Sequence, residues 1–92
     1  MELDIDKVQN EITKLIDDIN INFGLEVKIT PTTCPNDIGI SSHIIISVMG
    51  NLEALLNVSI PDNCYIFHDK KDNRHLSIRE ASLKLIKMAK VL

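Results

Sequence analysis

The apolar residues at the start of the chain recur every three or four positions, a spacing that places them on one side of an α-helix. This stripe consists of Ile5, Val8, Ile12, Leu15, Ile16 and Ile19. Asp4 or Asp6 can cap the start of such a helix, and Gly24 is placed to end it. The pattern therefore predicts an amphipathic helix that begins near Ile5 and ends before Gly24.

The next six residues, LEVKIT (25–30), alternate between apolar and polar side chains. Leu25, Val27 and Ile29 would point to one side, which is typical of a half-buried β-strand. The segment PTTCPNDIG (31–39) follows, and its prolines and glycine among other turn-forming residues predict a loop.

The segment SHIIISVMGNLEALLNVSI (42–60) is apolar over much of its length, with Gly50–Asn51 at its middle. This dipeptide is typical of two-residue hairpin turns, and we interpret the segment as a β-hairpin. The turn sets a register in which one face pairs Met49 with Leu52 and Ile45 with Leu56. The opposite face carries Ile44, Ile46, Val48 and Leu55 beside Glu53, Asn57 and Ser59.

A further short strand is predicted at CYIFH (64–68), and a second helix follows it. Ser77 and Glu80 have the spacing of a capping box, in which each side chain accepts a hydrogen bond from the backbone N–H of the other residue. The buried stripe of this helix is predicted to be Ile78, Ala81, Leu85, Met88, Ala89 and Leu92.

The predicted order of elements is helix, three or four antiparallel strands, helix. Residues 1–92 would then form a single α+β domain. The economical arrangement is a two-layer sandwich with both helices on one face of the sheet. The composition, 45% hydrophobic and 25% charged, agrees with a globular domain.

The location of the protein is predicted from what the sequence lacks. The first ten residues are polar and acidic, unlike a signal peptide, and no apolar run is long enough to span a membrane. Cys34 and Cys64 stand alone in the sequence and are expected to be reduced thiols. We therefore expect a cytoplasmic protein.

The charged residues are unevenly distributed along the chain. Residues 1–24 contain six acidic and two basic residues, a net charge of −4. Residues 64–92 contain three acidic and seven basic residues, a net charge of +4. The two ends could attract each other, or they could contact different partners.

The octapeptide HDKKDNRH (68–75) is the densest group of candidate ligands in the sequence. Its two histidines could bind a metal together with Asp69 or Asp72. A short loop, however, does not by itself hold four side chains around one point, and a surface turn is the simpler interpretation. We predict no metal site and no cofactor.

Catalytic chemistry is not indicated either. Cys34 and His43 are a conceivable nucleophile and base, but no flanking pattern supports the pair. A packed histidine and an inert thiol are the simpler interpretation. We predict that the protein is not an enzyme and infer no small-molecule substrate.

The predicted hairpin suggests an interface. If both helices cover the other side of the sheet, Ile44, Ile46, Val48 and Leu55 are exposed together, as at a protein-binding surface. The alternative is that a helix or the loop 31–42 covers this face. We expect a small protein that acts by binding another protein, as an inhibitor, an antitoxin-like partner or an adaptor. Self-association as a homodimer would also bury the face.

The alternative function is nucleic-acid binding, specifically RNA. The residues that would contact phosphates are Lys70, Lys71, Arg74, Arg79, Lys84 and Lys87. In SIREAS (77–82), Ser77, Arg79 and Ala81 resemble the start of the second helix of double-stranded-RNA-binding domains. Ile78 and Ser82 depart from that pattern, since basic residues are expected there. The resemblance covers six residues and an element order common to many small domains, so it is an analogy.

Overall fold

A computed structural model of the protein describes residues 4–61, 65–69 and 71–92. The first helix, α1, spans Ile5–Phe23. The Asp4 side chain caps it by accepting a 2.9 Å hydrogen bond from the backbone N–H of Asp6. Gly24 ends it with a left-handed backbone (φ 64°), a conformation that glycine adopts without steric cost. The predicted helix and both of its ends are confirmed.

The predicted strand at 25–30 is wrong, because these residues, all of them described, have irregular backbone. The side chain of Asn20 explains how the segment is held. Its Nδ2 donates to the carbonyl of Val27 (2.7 Å), and its Oδ1 accepts from the N–H of Val27 (3.2 Å). Glu26 has a positive φ of 57°, which interrupts an extended chain. A buried amide on α1 thus provides the hydrogen bonds that a neighbouring strand would otherwise supply.

The predicted loop after Pro31 contains one turn of 3-10 helix, Pro35–Ile38. Before this turn the loop contacts the last helix of the chain. The carbonyls of Pro31 and Thr33 accept 2.9 Å hydrogen bonds from the N–H groups of Arg79 and Ile78. The loop therefore satisfies backbone donors at the start of that helix.

The predicted hairpin is also wrong, since Ser42–Leu56 forms a 15-residue helix, α2. The Ser41 side chain caps its start, and Asn57 ends it with a left-handed backbone (φ 55°). Gly50–Asn51, interpreted as a turn, lies in the middle of the helix. The buried residues are Ile45, Val48, Leu52 and Leu56. Their spacing of three and four residues is typical of a helix. The sequence pattern does not single it out, because apolar residues in this segment also occupy alternate positions, as in a strand.

The strands are short and form two separate antiparallel ladders in the part of the chain that the structure describes. β1 (Val58–Ser59) pairs with β4 (Lys90–Val91). β2 (His68–Asp69) pairs with β3 (Arg74–His75), so the two ends of the octapeptide form an antiparallel pair. Cys64, in the predicted strand CYIFH, lies outside the described residues. The described residues form a small α+β fold with three α-helices, and the predicted sandwich with three or four strands is not confirmed.

The last helix, α3, spans Ile78–Met88 and begins with the predicted capping box between Ser77 and Glu80. The helix ends earlier than its apolar stripe suggested, because Lys90 and Val91 join the ladder with β1. Met88 and Leu92 are consequently 41% and 73% exposed, although they were predicted to be buried.

The three helices surround one hydrophobic core. α1 packs against both α2 and α3, and the segment 66–67 and the residues around β1 complete the core. Its fully enclosed side chains include Val8, Ile12, Ile16, Ile45, Leu52, Ile66, Phe67, Ile78 and Leu85. Among the described residues, no helix combines the length and the hydrophobicity needed to cross a membrane.

Candidate functional site

A groove of about 540 Å³ runs along the outer side of α2. One wall is a single face of the helix, because its residues are spaced three or four apart: Ser42, Ile46, Met49, Gly50 and Glu53. The other wall is formed by Ile60, Pro61 and Tyr65. From Ser42 to Glu53 the groove extends about 16 Å along the helix, at about 1.5 Å per residue.

The groove is mainly apolar and is open to solvent at Ile46. The Ile46 side chain is 59% exposed, although it belongs to one of the most hydrophobic residue types. Met49, one turn further along, is half-buried and packs against the core. An isoleucine exposed beside other apolar groups in a concave surface is typical of a contact surface.

Gly50 leaves the backbone of α2 accessible in the middle of the groove. Outside its own stretch of helix, a methyl group built at this position would meet no described atom within 4 Å, and its backbone φ is not positive. Glycine inside a helix costs about 1 kcal/mol relative to alanine. Neither a turn nor a close contact within the described protein requires glycine here.

Two hydrogen bonds hold the second wall in place. Glu53 Oε2 accepts from the backbone N–H of Ile60 (2.9 Å), which ties that wall to α2. The Tyr65 hydroxyl lies 3.3 Å from Asn36 Oδ1, which ties the tyrosine to the short 3-10 helix. The groove is thus part of the folded structure and is anchored at two points along its length.

The four residues predicted to form an exposed sheet face do not form one surface. Val48 is 3% exposed and belongs to the core, and Ile44 is half-buried against it. Ile46 and Leu55 are 59% and 54% exposed. They are nine residues apart, about two and a half helical turns, and so they lie on opposite sides of α2. Of the predicted set, Ile46 lines the groove.

The predicted hairpin places Glu53 on the same face as Ile46, but it does not identify the other groove residues, because the segment is a helix. Met49 and Gly50 were placed at a hairpin turn, and Ile60 and Tyr65 received no role. The spacing of these residues in the sequence places them on one face only if the segment is a helix: Ser42, Ile46, Met49, Gly50 and Glu53.

Of the basic residues predicted to contact nucleic acid, Arg74 is paired within the fold and Lys70 lies outside the described residues. The Arg74 guanidinium contacts both carboxylate oxygens of Glu80, at 2.6 and 3.3 Å. Glu80 also accepts from the Ser77 N–H at 3.0 Å. The hydrogen bonds from Arg74 and then from Ser77 lower the pKa of Glu80 from 4.5 to about 2.

Two further basic side chains are also bonded to the protein. Arg79 donates to Gln9 Oε1 on α1 (3.3 Å). Lys84 Nζ donates to the carbonyls of Tyr65 (3.1 Å) and His68 (2.7 Å). In the described part of the chain, the side chains of Lys71 and Lys87 are exposed and make no such bond. Nucleic-acid binding stays a prediction, with these two lysines as its accessible contacts.

The histidines of the octapeptide face each other across the β2–β3 hairpin, with ring centroids 6.0 Å apart. His75 Nδ1 lies 2.8 Å from Asp37 Oδ1, a contact between the hairpin and the 3-10 helix. Within the described residues, no three His, Cys, Asp or Glu side chains are grouped as a metal site requires.

Within the described residues, Cys34 and His43, the conceivable catalytic pair, are not hydrogen-bonded to each other. His43 is exposed on the first turn of α2, so the prediction that it is packed is wrong. Partial burial, and then the charge of Asp37, raise the pKa of the Cys34 thiol. A raised pKa disfavours the thiolate, which is the reactive form.

No protein-family model matches this chain, and no curated protein or solved structure matches it significantly. The function of the groove along α2 is therefore inferred from the geometry and chemistry of the groove itself. Among the described residues, it combines apolar walls, an accessible helix backbone and the carboxylate of Glu53.

Proposed function

We propose that the protein acts by binding another protein through the groove along α2, and that it is not an enzyme. The observation that carries this proposal is the 59% exposure of Ile46 in an apolar groove, beside the accessible backbone at Gly50. A partner that covers Ile46 would remove apolar surface from water, which is the main driving force of protein association. An inhibitor, an antitoxin-like partner or an adaptor in the cytoplasm would act in this way.

The shape and polarity of the groove favour a protein segment as the occupant. It is a shallow channel along three turns of helix, with Ser42 at one end and Glu53 at the other. Protein interfaces commonly combine an apolar centre with a polar rim. A segment of a partner chain lying along α2 would place apolar side chains against Ile46 and Met49.

The proposal is tested with Ile46→Asp and the matched control Leu55→Asp. Both positions are exposed on α2, at 59% and 54%, but on opposite sides of the helix. The probes are peptides selected on the wild-type protein from a displayed library of random 12-residue sequences. These peptides should bind Leu55→Asp like the wild type and Ile46→Asp at least about tenfold more weakly.

Three results would contradict the proposal: selection that yields no binding peptide, peptides that bind both variants like the wild type, and peptides that lose affinity equally for both. Circular dichroism must show that both variants keep their helices. RNA oligonucleotides provide the comparison with the alternative function. RNA binding that falls steeply with salt and persists in Ile46→Asp would favour nucleic-acid binding instead.

A further inference from the structure

Glu53 is the charged side chain among the described residues that line the groove. One of its oxygens accepts a hydrogen bond from the Ile60 N–H, at 2.9 Å. A carboxylate has about four lone-pair positions, so this single bond leaves acceptor capacity for another donor. The half-buried carboxylate is therefore positioned to accept hydrogen bonds from a group that enters the groove.

The position of Glu53 on α2 adds to its preference for a cation. The residue lies in the last turn of the helix, which has no basic residue of its own. The carbonyl groups at a helix C-terminus carry partial negative charge, and a nearby cation stabilises them. Glu53 and the end of the helix thus attract the same kind of group.

A second copy of the chain is a poor match for this charge. In a two-fold dimer the same surface meets itself. Along the described lining of the groove, which contains no lysine or arginine, Glu53 would then meet the partner's Glu53, apolar side chains or the hydroxyl groups of Ser42 and Tyr65. None of these contacts supplies a positive charge to a carboxylate that is losing its water. Charge complementarity therefore favours a different protein over a homodimer at this surface.

We propose that the groove selects a partner segment that carries a lysine or arginine next to apolar side chains. The apolar side chains pack on Ile46 and Met49, the segment approaches the backbone at Gly50, and the basic side chain donates to Glu53. This inference rests on the proposed function, because it names the chemistry of the partner at the same groove. Removal from water strengthens an ion pair at this position relative to a fully exposed one.

The test uses the peptides selected on the wild-type protein and the variant Glu53→Gln. Glutamine keeps an oxygen that can accept from the Ile60 N–H, so the second wall stays tied to α2. The control is Glu26→Gln, which removes the same charge from an exposed residue that does not line the groove. We expect lysine or arginine to be enriched in the selected peptides. Their affinity should fall about tenfold for Glu53→Gln and remain unchanged for Glu26→Gln.

A double-mutant cycle identifies the pair directly. Replacing the enriched basic residue of a peptide by glutamine should weaken binding to the wild type about tenfold. The same replacement should have little effect on binding to Glu53→Gln, because its partner is already absent. Full losses in both proteins would show that the basic residue contacts another group, which overturns the inference.

The possible failures are distinguishable. If the peptides need Ile46 but lack basic residues, or bind Glu53→Gln like the wild type, the charge inference is wrong and the groove proposal stands. If they do not depend on Ile46, both are wrong. If the wild-type protein sediments as a dimer and Ile46→Asp as a monomer, the occupant is a second copy and the inference is overturned.

Discussion

Helices α2 and α3 use their outer faces in different ways. On α3, three charged side chains are bonded to other parts of the protein: Arg79 to α1, Glu80 to Arg74, and Lys84 to two backbone carbonyls. On the groove face of α2, Glu53 contacts Ile60, and Ile46 remains largely exposed. α3 is therefore tied to its surroundings through its polar side chains, although Leu83 and Met88 on it are also exposed, and α2 offers an apolar face to solvent.

The difference shows why charge alone does not identify a binding surface here. The C-terminal third of the chain is basic, which suggested nucleic-acid binding. Three of its basic side chains instead hold the hairpin, α1 and α3 together. On the groove face of α2, Glu53 also bonds within the fold, but Ile46 remains largely exposed, and this face is the stronger candidate for an external partner.

The largest expected effect on stability distinguishes the buried face of α2 from its exposed face. Val48→Asp should destabilise the protein by about 3 kcal/mol or more, because it places a carboxylate in the core. Ile46→Asp should change the unfolding free energy by less than about 1 kcal/mol, because the side chain is 59% exposed. Urea denaturation measures both. Unfolding by Ile46→Asp would show that the outer face supports the fold and would remove the contrast with α3.

The next effect compares the caps of the two helices. Ser77→Ala should cost about 1 kcal/mol, because the buried Ser77 accepts from the Glu80 N–H at 3.2 Å within a capping box. Ser41→Ala should cost less, about 0.5 kcal/mol, since its bond from the Ile44 N–H is 3.4 Å long and exposed. Thermal unfolding of both variants shows which of the two substitutions costs more stability. Equal costs would mean that α3 is no more firmly capped than α2.

Gly50→Ala tests whether the groove face of α2 is free of internal constraints. The substitution should stabilise the protein by about 0.5–1 kcal/mol, because alanine is the better helix former and its methyl group meets no described atom within 4 Å. The control is Gly24→Ala, which should be destabilising at its left-handed φ of 64°. Destabilisation by Gly50→Ala would reveal a contact of the helix backbone at the groove.

The smallest expected effect is the pH dependence of the Arg74–Glu80 contact beside α3. The folded state lowers the pKa of Glu80 from 4.5 to about 2. The contribution of Glu80 is therefore fully present above about pH 4.5 and is lost as the pH falls through about 2. Its side chain is 38% exposed, so screening keeps the contribution below about 1 kcal/mol.

Urea denaturation at pH 6 and pH 2 measures this loss by comparing the wild type with Glu80→Gln. The difference in unfolding free energy between the wild type and Glu80→Gln should shrink at pH 2, because protonation then removes the charge of Glu80 in the wild type as well. A difference that stays constant would show that the contact does not contribute through the charge of Glu80.

The ends of α1 and α3 show what short-range sequence signals can predict. Asp4, Gly24 and the Ser77–Glu80 pair act within a few residues of their own positions, through hydrogen bonds and backbone preferences that each carries locally. The apolar spacing of α1 is also compatible with a helix and not with a strand. These features could be read correctly without knowledge of the rest of the fold.

The groove could not be predicted in the same way. In 42–60, apolar residues occupy both helical and alternate positions, so the local pattern does not choose between a helix and a hairpin. The burial of Ile45, Val48 and Leu52 against α1 and the rest of the core chooses the helix. This choice moves Ile46 away from Leu55 and places it in the same groove as Tyr65, 19 residues away along the sequence.

The sequence by itself determined α1 with both of its ends and the capped start of α3, because these depend on interactions between residues close together in the chain. Only the tertiary structure decided that 42–60 contains α2, that Asn20 holds Val27, and that Arg79 and Lys84 bond to the protein. The physical reason is that these features depend on burial and on hydrogen bonds between distant segments. Such interactions select among local structures that the sequence pattern alone predicts about equally well.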